Sequence, residues 1–214
     1  MSAMSSSVSL TALLVPAYKQ MLKHLSAWLE KTGDDPNEML ARRLAPDMFP
    51  LDTQVRFACF QAQEAVFRLQ GKQVPQVILD IAQEGRNNAE SPGTVEEAKA
   101  RIQEALAFLE ALDEDALDSC ALQKVTLELP DGLIFDMTGF QYVRDWAQPQ
   151  FYFHLMTAYS ILRKMLESIW EKQTMCLTCL PMLGHQLDPV RTNKVAIQFA
   201  EAVRFLLAFC FSPA

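Results

Sequence analysis

The feature of this sequence that most constrains its fold is a helical repeat of apolar residues in its most aromatic stretch. Phe151, Leu155, Ala158 and Leu162 recur at intervals of three or four residues. This spacing places their side chains on one face of an α-helix, and that face must be buried against other elements. His154 lies beside the stripe, so we expect its imidazole at the edge of the core, with a partner. The chain must therefore fold around amphipathic helices.

Other segments repeat the same pattern. We predict helices over residues 9–32 and about 51–70, and a third helix that opens at Thr94 with Glu97 completing a capping box. Residues 72–93 contain glycines, asparagines and a proline, which are typical of loops, so we predict a surface loop there. The expected framework is a bundle of helices joined by short connections.

The apolar period changes from helical to two over Val125, Leu127 and Leu129. The residues that follow, Pro130-Asp131-Gly132, are typical of a turn, and apolar residues return directly after it. This pattern predicts one β-hairpin, which must pack against the helices because an isolated hairpin is only marginally stable. The last core helix is predicted to follow the hairpin, with a kink at Pro149.

Composition narrows the classes of function. The 214 residues carry a net charge of -7 and show no cluster of Lys and Arg, so we expect no nucleic-acid partner. No apolar run reaches the roughly 20 residues that span a bilayer, so we expect no membrane insertion. The five cysteines are an odd number, which favours free thiols and a cytoplasmic protein. Cys176 and Cys179, with His185 nearby, lack the further ligands of a structural zinc site, and we read their spacing as coincidence.

Three motifs occur in a fixed order along the chain. They are LAPDMFPL at residues 44–51, VTLELPDG at residues 125–132 and PQFYFHLMTAYSILR at residues 149–163. Together they resemble the DinB-like superfamily of four-helix bundles, in a branch classed as a domain of unknown function. The resemblance implies an all-α, up-down four-helix bundle with one β-hairpin before the last core helix.

The resemblance also suggests how the chain is divided. It covers residues 9–164, which we expect to form the bundle domain. Residues 1–8 are predicted to be a disordered N-terminus. Residues 165–214 are predicted to be a C-terminal extension that forms an extra helix packed on the bundle, or else to be an artefact of the gene model.

The DinB-like superfamily is known for a three-histidine metal site in which two histidines lie one helical turn apart. In this sequence the residues one turn either side of His154 are Gln150 and Ala158. The pattern that the resemblance implies is therefore broken here, and we predict no bound metal and no cofactor.

His154 and Asp47 are the candidate catalytic pair. Asp47 lies between two prolines, in an elbow that would orient the imidazole for acid–base catalysis, or for polarising a carbonyl, if it packed against the last core helix. The alternative is structural, with Asp47 capping the next helix and His154 bonded to a backbone carbonyl. Five further residues are candidates for ligand binding, with ordinary packing as the alternative: Gln54, Tyr142, Gln150, Phe151 and Tyr159.

The leading functional hypothesis is a small-molecule-binding protein that holds a largely apolar metabolite between its helices. If it is an enzyme, we expect a cofactor-independent isomerase, cyclase or dehydratase that acts on a carbonyl-containing metabolite in a biosynthetic pathway. Two alternatives stay open. One is a metal-dependent thiol transferase or isomerase, which the DinB resemblance suggests. The other is a non-catalytic interaction protein that forms a homodimer or a partner interface through residues 165–214.

Overall fold

The structure is a computed structural model that describes residues 9–30, 36–129 and 132–165. A 3₁₀ turn at Asp118–Cys120 precedes the hairpin, and a π-helical turn at Val143–Ala147 precedes the last helix. The other elements in chain order are α1 (Leu10–Leu29), α2 (Pro36–Leu40), α3 (Leu51–Leu69), α4 (Gln76–Asn87), α5 (Val95–Glu110), β1 (Lys124–Glu128), β2 (Ile134–Thr138), α6 (Gly139–Tyr142) and α7 (Gln148–Met165).

The four helices α1, α3, α5 and α7 form the bundle. Helix α3 packs against α5 and α7, and α1 contacts the same two helices from the other side. Ala58, Ala62 and Ala65 on α3 are fully buried, and their small side chains let the neighbouring helices approach closely. The predicted fold class, an all-α bundle with a single hairpin, is confirmed for the described part of the chain.

The prediction of a surface loop over residues 72–93 is wrong, because this segment contains helix α4. Ile78, Ile81, Ala82 and Gly85 recur at helical spacing and are buried against α3. Gly85 reads as a helix breaker in the sequence, yet a side chain there would come within 3.1 Å of the Phe57 ring. The glycine is therefore explained by close helix packing, not by a turn.

The predicted hairpin is present and antiparallel. Thr126 faces Asp136 in the register, and the hydroxyl of Thr126 donates to the Asp136 carboxylate at 2.8 Å. Val125 and Leu127 of β1 are buried, whereas β2 is largely exposed. Gly132 has a φ of +85°, a conformation that glycine adopts without strain. The hairpin thus packs one strand on the bundle and leaves the other at the surface.

Helices α6 and α7 form one continuous helical run through the π turn. The amide of Gln148 donates to the carbonyl of Val143, five residues earlier, which widens this turn of the helix. Pro149 follows in the first turn of α7, where its missing N–H leaves no helical bond unmade. The structure thus has a π turn directly before Pro149, and the kink predicted at Pro149 stays a prediction.

Some predictions fall outside the described residues. These are the predicted disordered N-terminus, the extra C-terminal helix with its homodimer interface, and the Cys176-x-x-Cys179 pair with His185. Among the described helices, none has the length and apolar character needed to cross a membrane.

Candidate functional site

The candidate site is built around a hydrogen bond between helices α3 and α7. His154 Nδ1 lies 2.8 Å from Oε1 of Gln54, and Nε2 of Gln54 donates to the carbonyl of Phe49 at 3.3 Å. The amide nitrogen of Gln54 has a carbonyl as its partner, so its oxygen must be the atom that faces His154. An oxygen only accepts, and His154 Nδ1 therefore carries the proton.

This arrangement leaves His154 Nε2 as a lone-pair acceptor. Among the described residues Nε2 has no hydrogen-bond partner, and it is not one of the polar atoms sealed from solvent. The imidazole as a whole is half-buried. Burial lowers the pKa of His154 from its usual range near 6.5 to about 4, because a charged ring would lose hydration. The ring is therefore neutral at physiological pH.

Aromatic side chains surround the imidazole on two sides. The Phe57 ring meets it edge-on with centroids 5.0 Å apart, and the Phe153 ring does so at 5.2 Å. Phe49 packs perpendicular to Phe57 at 5.5 Å, and the guanidinium of Arg86 lies 5.8 Å from the centre of the Phe57 ring. Phe49 and Phe153 remain 42% and 39% exposed, so the imidazole lies at the edge of an exposed aromatic surface.

The expected contact between Asp47 and His154 is not formed. Asp47 is exposed in the elbow before α3, and among the described residues no hydrogen bond or ion pair joins it to the imidazole. The expected structural alternative fails as well, because the N-cap of α3 is Pro50 and no side chain caps this helix. The amide oxygen of Gln54 bonds Nδ1 of the imidazole instead. Gln54 is therefore the residue that orients His154.

Two of the other candidate ligand-binding residues, Phe151 and Tyr159, pack against helix α1. Phe151 is fully buried against Tyr18, with ring centroids 4.1 Å apart. Tyr159 packs on Trp28 at 4.9 Å, and its hydroxyl accepts a hydrogen bond from Arg163 at 3.2 Å. Gln150 is half-buried at the start of α7. Phe151 and Tyr159 therefore belong to the packing of α7 against α1, whereas Gln150, one helical turn before His154, stays a candidate.

Tyr142 is fully buried, and its hydroxyl has no hydrogen-bond partner. Burial raises the pKa of this phenol well above its usual range, and the nearby Glu64 carboxylate adds to the increase. The hydroxyl is therefore neutral and closed off from solvent. A ligand at the surface beside His154 does not meet it.

The sequence analysis missed the aromatic residues of the site, Phe49, Phe57 and Phe153. Two of them had a local signal: Phe57 lies one helical turn after Gln54, and Phe153 precedes His154 directly. The position of Phe49 depends on the elbow folding back so that its carbonyl reaches Gln54. No periodicity in the sequence describes that contact.

The residues around His154 do not fit a three-histidine metal centre. Its hydrogen-bond partner is an amide, and Gln150 and Ala158 occupy the positions one turn away. Over residues 9–30, 36–129 and 132–165, no group of three or more His, Cys, Asp or Glu side chains is placed to hold a metal ion.

Comparison with known proteins places this geometry in a family. A family model described as a domain of unknown function (DUF1993) matches residues 5–165. The crystal structure of a DinB family member protein from Shewanella denitrificans is 29% identical, with a TM-score of 0.59 over 78% of this chain and 91% of that chain. Comparison with curated proteins gave no match. The bundle, the hairpin and the extent of the match together show that this chain belongs to the DUF1993 family of DinB-like domains of unknown function.

Proposed function

We propose that this protein binds a small molecule with an apolar body at the surface formed by His154, Gln54, Phe49, Phe57 and Phe153. The observation that supports this is the fixed tautomer of His154. The N–H at Nδ1 of His154 donates to Oε1 of Gln54, with the two atoms Nδ1 and Oε1 2.8 Å apart. Nε2 is therefore an oriented acceptor with no protein partner among the described residues. The exposed faces of Phe49 and Phe153 supply apolar contact area beside it.

The protonation state of the His154 imidazole decides which polar group a ligand must carry. A neutral Nε2 accepts a hydrogen bond and cannot donate one, so it pairs with a hydroxyl or an N–H group. A carbonyl oxygen needs a donor, which His154 offers only when it is protonated. With a pKa of about 4, the protonated ring is a minor form at neutral pH. The preferred ligand is therefore an aromatic or aliphatic molecule that carries a hydrogen-bond donor.

An isomerase, cyclase or dehydratase activity stays a prediction for this site. The geometry supports a version in which Nε2 removes a proton from the bound molecule and Gln54 keeps the ring oriented. A base with a pKa of about 4 accepts a proton weakly in water, so turnover would require the bound substrate to bring an acidic proton onto Nε2. Ligand binding does not require this proton transfer, so binding is the part of the proposal to test first.

The test is ligand-observed NMR with benzyl alcohol and its matched hydrocarbon, ethylbenzene, on the full chain and on His154→Phe. The substitution keeps an aromatic ring but removes Nε2. We expect benzyl alcohol to bind the wild type more tightly than ethylbenzene does, and this preference to disappear in His154→Phe.

The matched control is His24→Phe. His24 is also half-buried and is also bonded to a glutamine, Gln20, at 2.9 Å, but it stacks on Trp28 away from the site. Binding of benzyl alcohol should survive this change. Equal binding of both probes by the wild type, or equal loss in the two variants, would contradict the assignment of His154.

A further inference from the structure

A second concave surface of the protein is lined by charged side chains and lies away from the aromatic site. It is a cleft of about 530 Å³ between α3, α4, α5 and the loop that joins α4 to α5. Two arginines and three glutamates line it, together with small residues that keep it open. Its lining includes Arg56, Glu84, Gly93, Glu97, Arg101 and Glu104.

Arg56 lies at the base of this cleft and is only 3% exposed. Its Nη1 forms an ion pair with Asp52, one helical turn earlier, which is fully buried. The second carboxylate oxygen of Asp52 accepts hydrogen bonds from the Asn88 amide at 2.9 Å and from the Gly93 backbone at 3.3 Å. One side of the Arg56 guanidinium is therefore held by the Asp52 carboxylate, both oxygens of which have partners.

The other side of the Arg56 guanidinium lacks hydrogen bonds. Its Nε has no hydrogen-bond partner, and the nearest acid oxygen, on Glu84, is 3.6 Å away. Arg101 draws that oxygen away, because its own Nε donates to it at 3.0 Å. A buried guanidinium donor without an acceptor is costly, so this edge of Arg56 is suited to an incoming anionic group.

The lack of a side chain at Gly93 leaves space beside Nη2 of Arg56. A Cβ at position 93 would lie 3.2 Å from Nη2 of Arg56 and would collide with the Glu97 carboxylate. The backbone of Gly93 has no positive φ that would by itself require glycine. The residue is therefore explained by the space that it leaves between Arg56 and Glu97.

The charges of the lining decide which kind of ligand fits. Three carboxylates outnumber two guanidinium groups, and the buried Asp52 adds a fourth negative charge beneath them. A simple anion would meet net repulsion, whereas a simple cation would leave Arg56 without an acceptor. Glu97 and Glu104 each use one oxygen for a bond to Thr94 or Arg101, which leaves their other oxygens available.

We propose that this cleft binds a small zwitterion of the size of a free amino acid. The carboxylate of the ligand bonds Nη2 of Arg56, and its ammonium group lies against Glu97 and Glu104. This arrangement gives Arg56 its missing acceptor and places a positive charge where the carboxylates are in excess. The cleft shares helix α3 with the aromatic site, where Arg56 directly precedes Phe57.

The test is isothermal titration calorimetry of the full chain with individual L-amino acids, followed by analogues of any that bind. The methyl ester removes the carboxylate charge and the N-acetyl derivative removes the ammonium charge. We expect each analogue to bind at least tenfold more weakly than the parent amino acid. Binding of acetate or of the methyl ester as tightly as the amino acid would overturn the zwitterion assignment, and so would a lack of binding by every amino acid.

Two matched variants locate the site. Glu104→Gln removes a carboxylate of the cleft, whereas Glu96→Gln makes the same change on the exposed surface of the same helix, outside the cleft lining. Affinity for the amino acid should fall several-fold in Glu104→Gln and stay unchanged in Glu96→Gln. Equal affinities in the two variants would overturn the placement of the site. A third variant, Gly93→Ala, should abolish binding while circular dichroism shows that its fold is kept.

Discussion

At the scale of single residues, the chemistry of His154 is set by one neighbour and by burial. Gln54 fixes the proton on Nδ1, and the surrounding rings hold the pKa near 4. A carboxylate in the place of Gln54 would have favoured the charged ring and raised this pKa. Because its partner is an amide and not a carboxylate, His154 stays neutral at physiological pH and its Nε2 is a hydrogen-bond acceptor.

This shift makes the stability of the protein depend on pH. The unfolded chain protonates His154 near pH 6.5 and the folded protein near pH 4. The unfolded state binds the extra proton in this window, so the free energy of unfolding falls as pH drops from about 6.5 to 4. The loss from this residue is at most about 3 kcal/mol.

Urea denaturation of the wild type and of His154→Phe between pH 7 and pH 4 measures this contribution. The carboxyl groups that titrate in this range are common to both proteins, so the difference between the two curves isolates His154. We expect the wild type to lose more stability than the variant as pH falls. Parallel curves would show that the imidazole is not held neutral by burial.

At the scale of the elements, the buried surface of α3 contains a row of small residues. Ala58, Ala62 and Ala65 are fully buried against neighbouring helices. Helix α4 packs closely on α3 through Gly85. Close helix contacts of this kind leave little space for added methylene groups. The spacing between the bundle helices is thus set by residues that carry no chemistry.

Ala62→Leu tests this packing. We expect it to lower the free energy of unfolding by about 1–3 kcal/mol, because the larger side chain has no space between the helices. Ala107→Leu on the exposed surface of α5 is the matched control and should change stability by less than about 0.5 kcal/mol. Chemical denaturation gives both values. If the free energy of unfolding fell as little in Ala62→Leu as in Ala107→Leu, the contact between α3 and its neighbouring helices could expand to fit the larger side chain.

At the scale of the whole molecule, α3 is the central element of the described part. It contacts α1, α4, α5 and α7, and residues 51–66 are all buried. Exposing its amides requires most of the bundle to open, whereas β2 is largely exposed in a two-stranded hairpin. Regions that open only with global unfolding are the slowest to exchange their amide hydrogens.

Hydrogen exchange measured by mass spectrometry should therefore rank the elements. We expect the amides of α3 to exchange most slowly and those of β2 to exchange much faster. The amides of α4 should lie between them, because this helix packs on α3 through one face only. Exchange in α3 as fast as in β2 would contradict a bundle organised around this helix.

The sequence predicted the helices that have strong signals and missed the one whose signals conflict. The capping box of Thr94 and Glu97 begins α5 where it was expected. Helix α4 was read as a loop because Gly85 and the nearby asparagines outweighed the spacing of Ile78 and Ile81. A glycine that serves close packing and a glycine that ends a helix look identical in a sequence, since the difference lies in the Phe57 ring beside it.

The all-α class, the hairpin, the family and the position of His154 on the last core helix can all be inferred from local sequence patterns. These follow from periodicity, turn chemistry and motifs, which act between residues close in the chain. Only the tertiary structure decided that Gln54 and not Asp47 is the partner of His154, and that Arg56 faces an open cleft. Such contacts join residues up to 100 positions apart, and their geometry depends on how the helices pack.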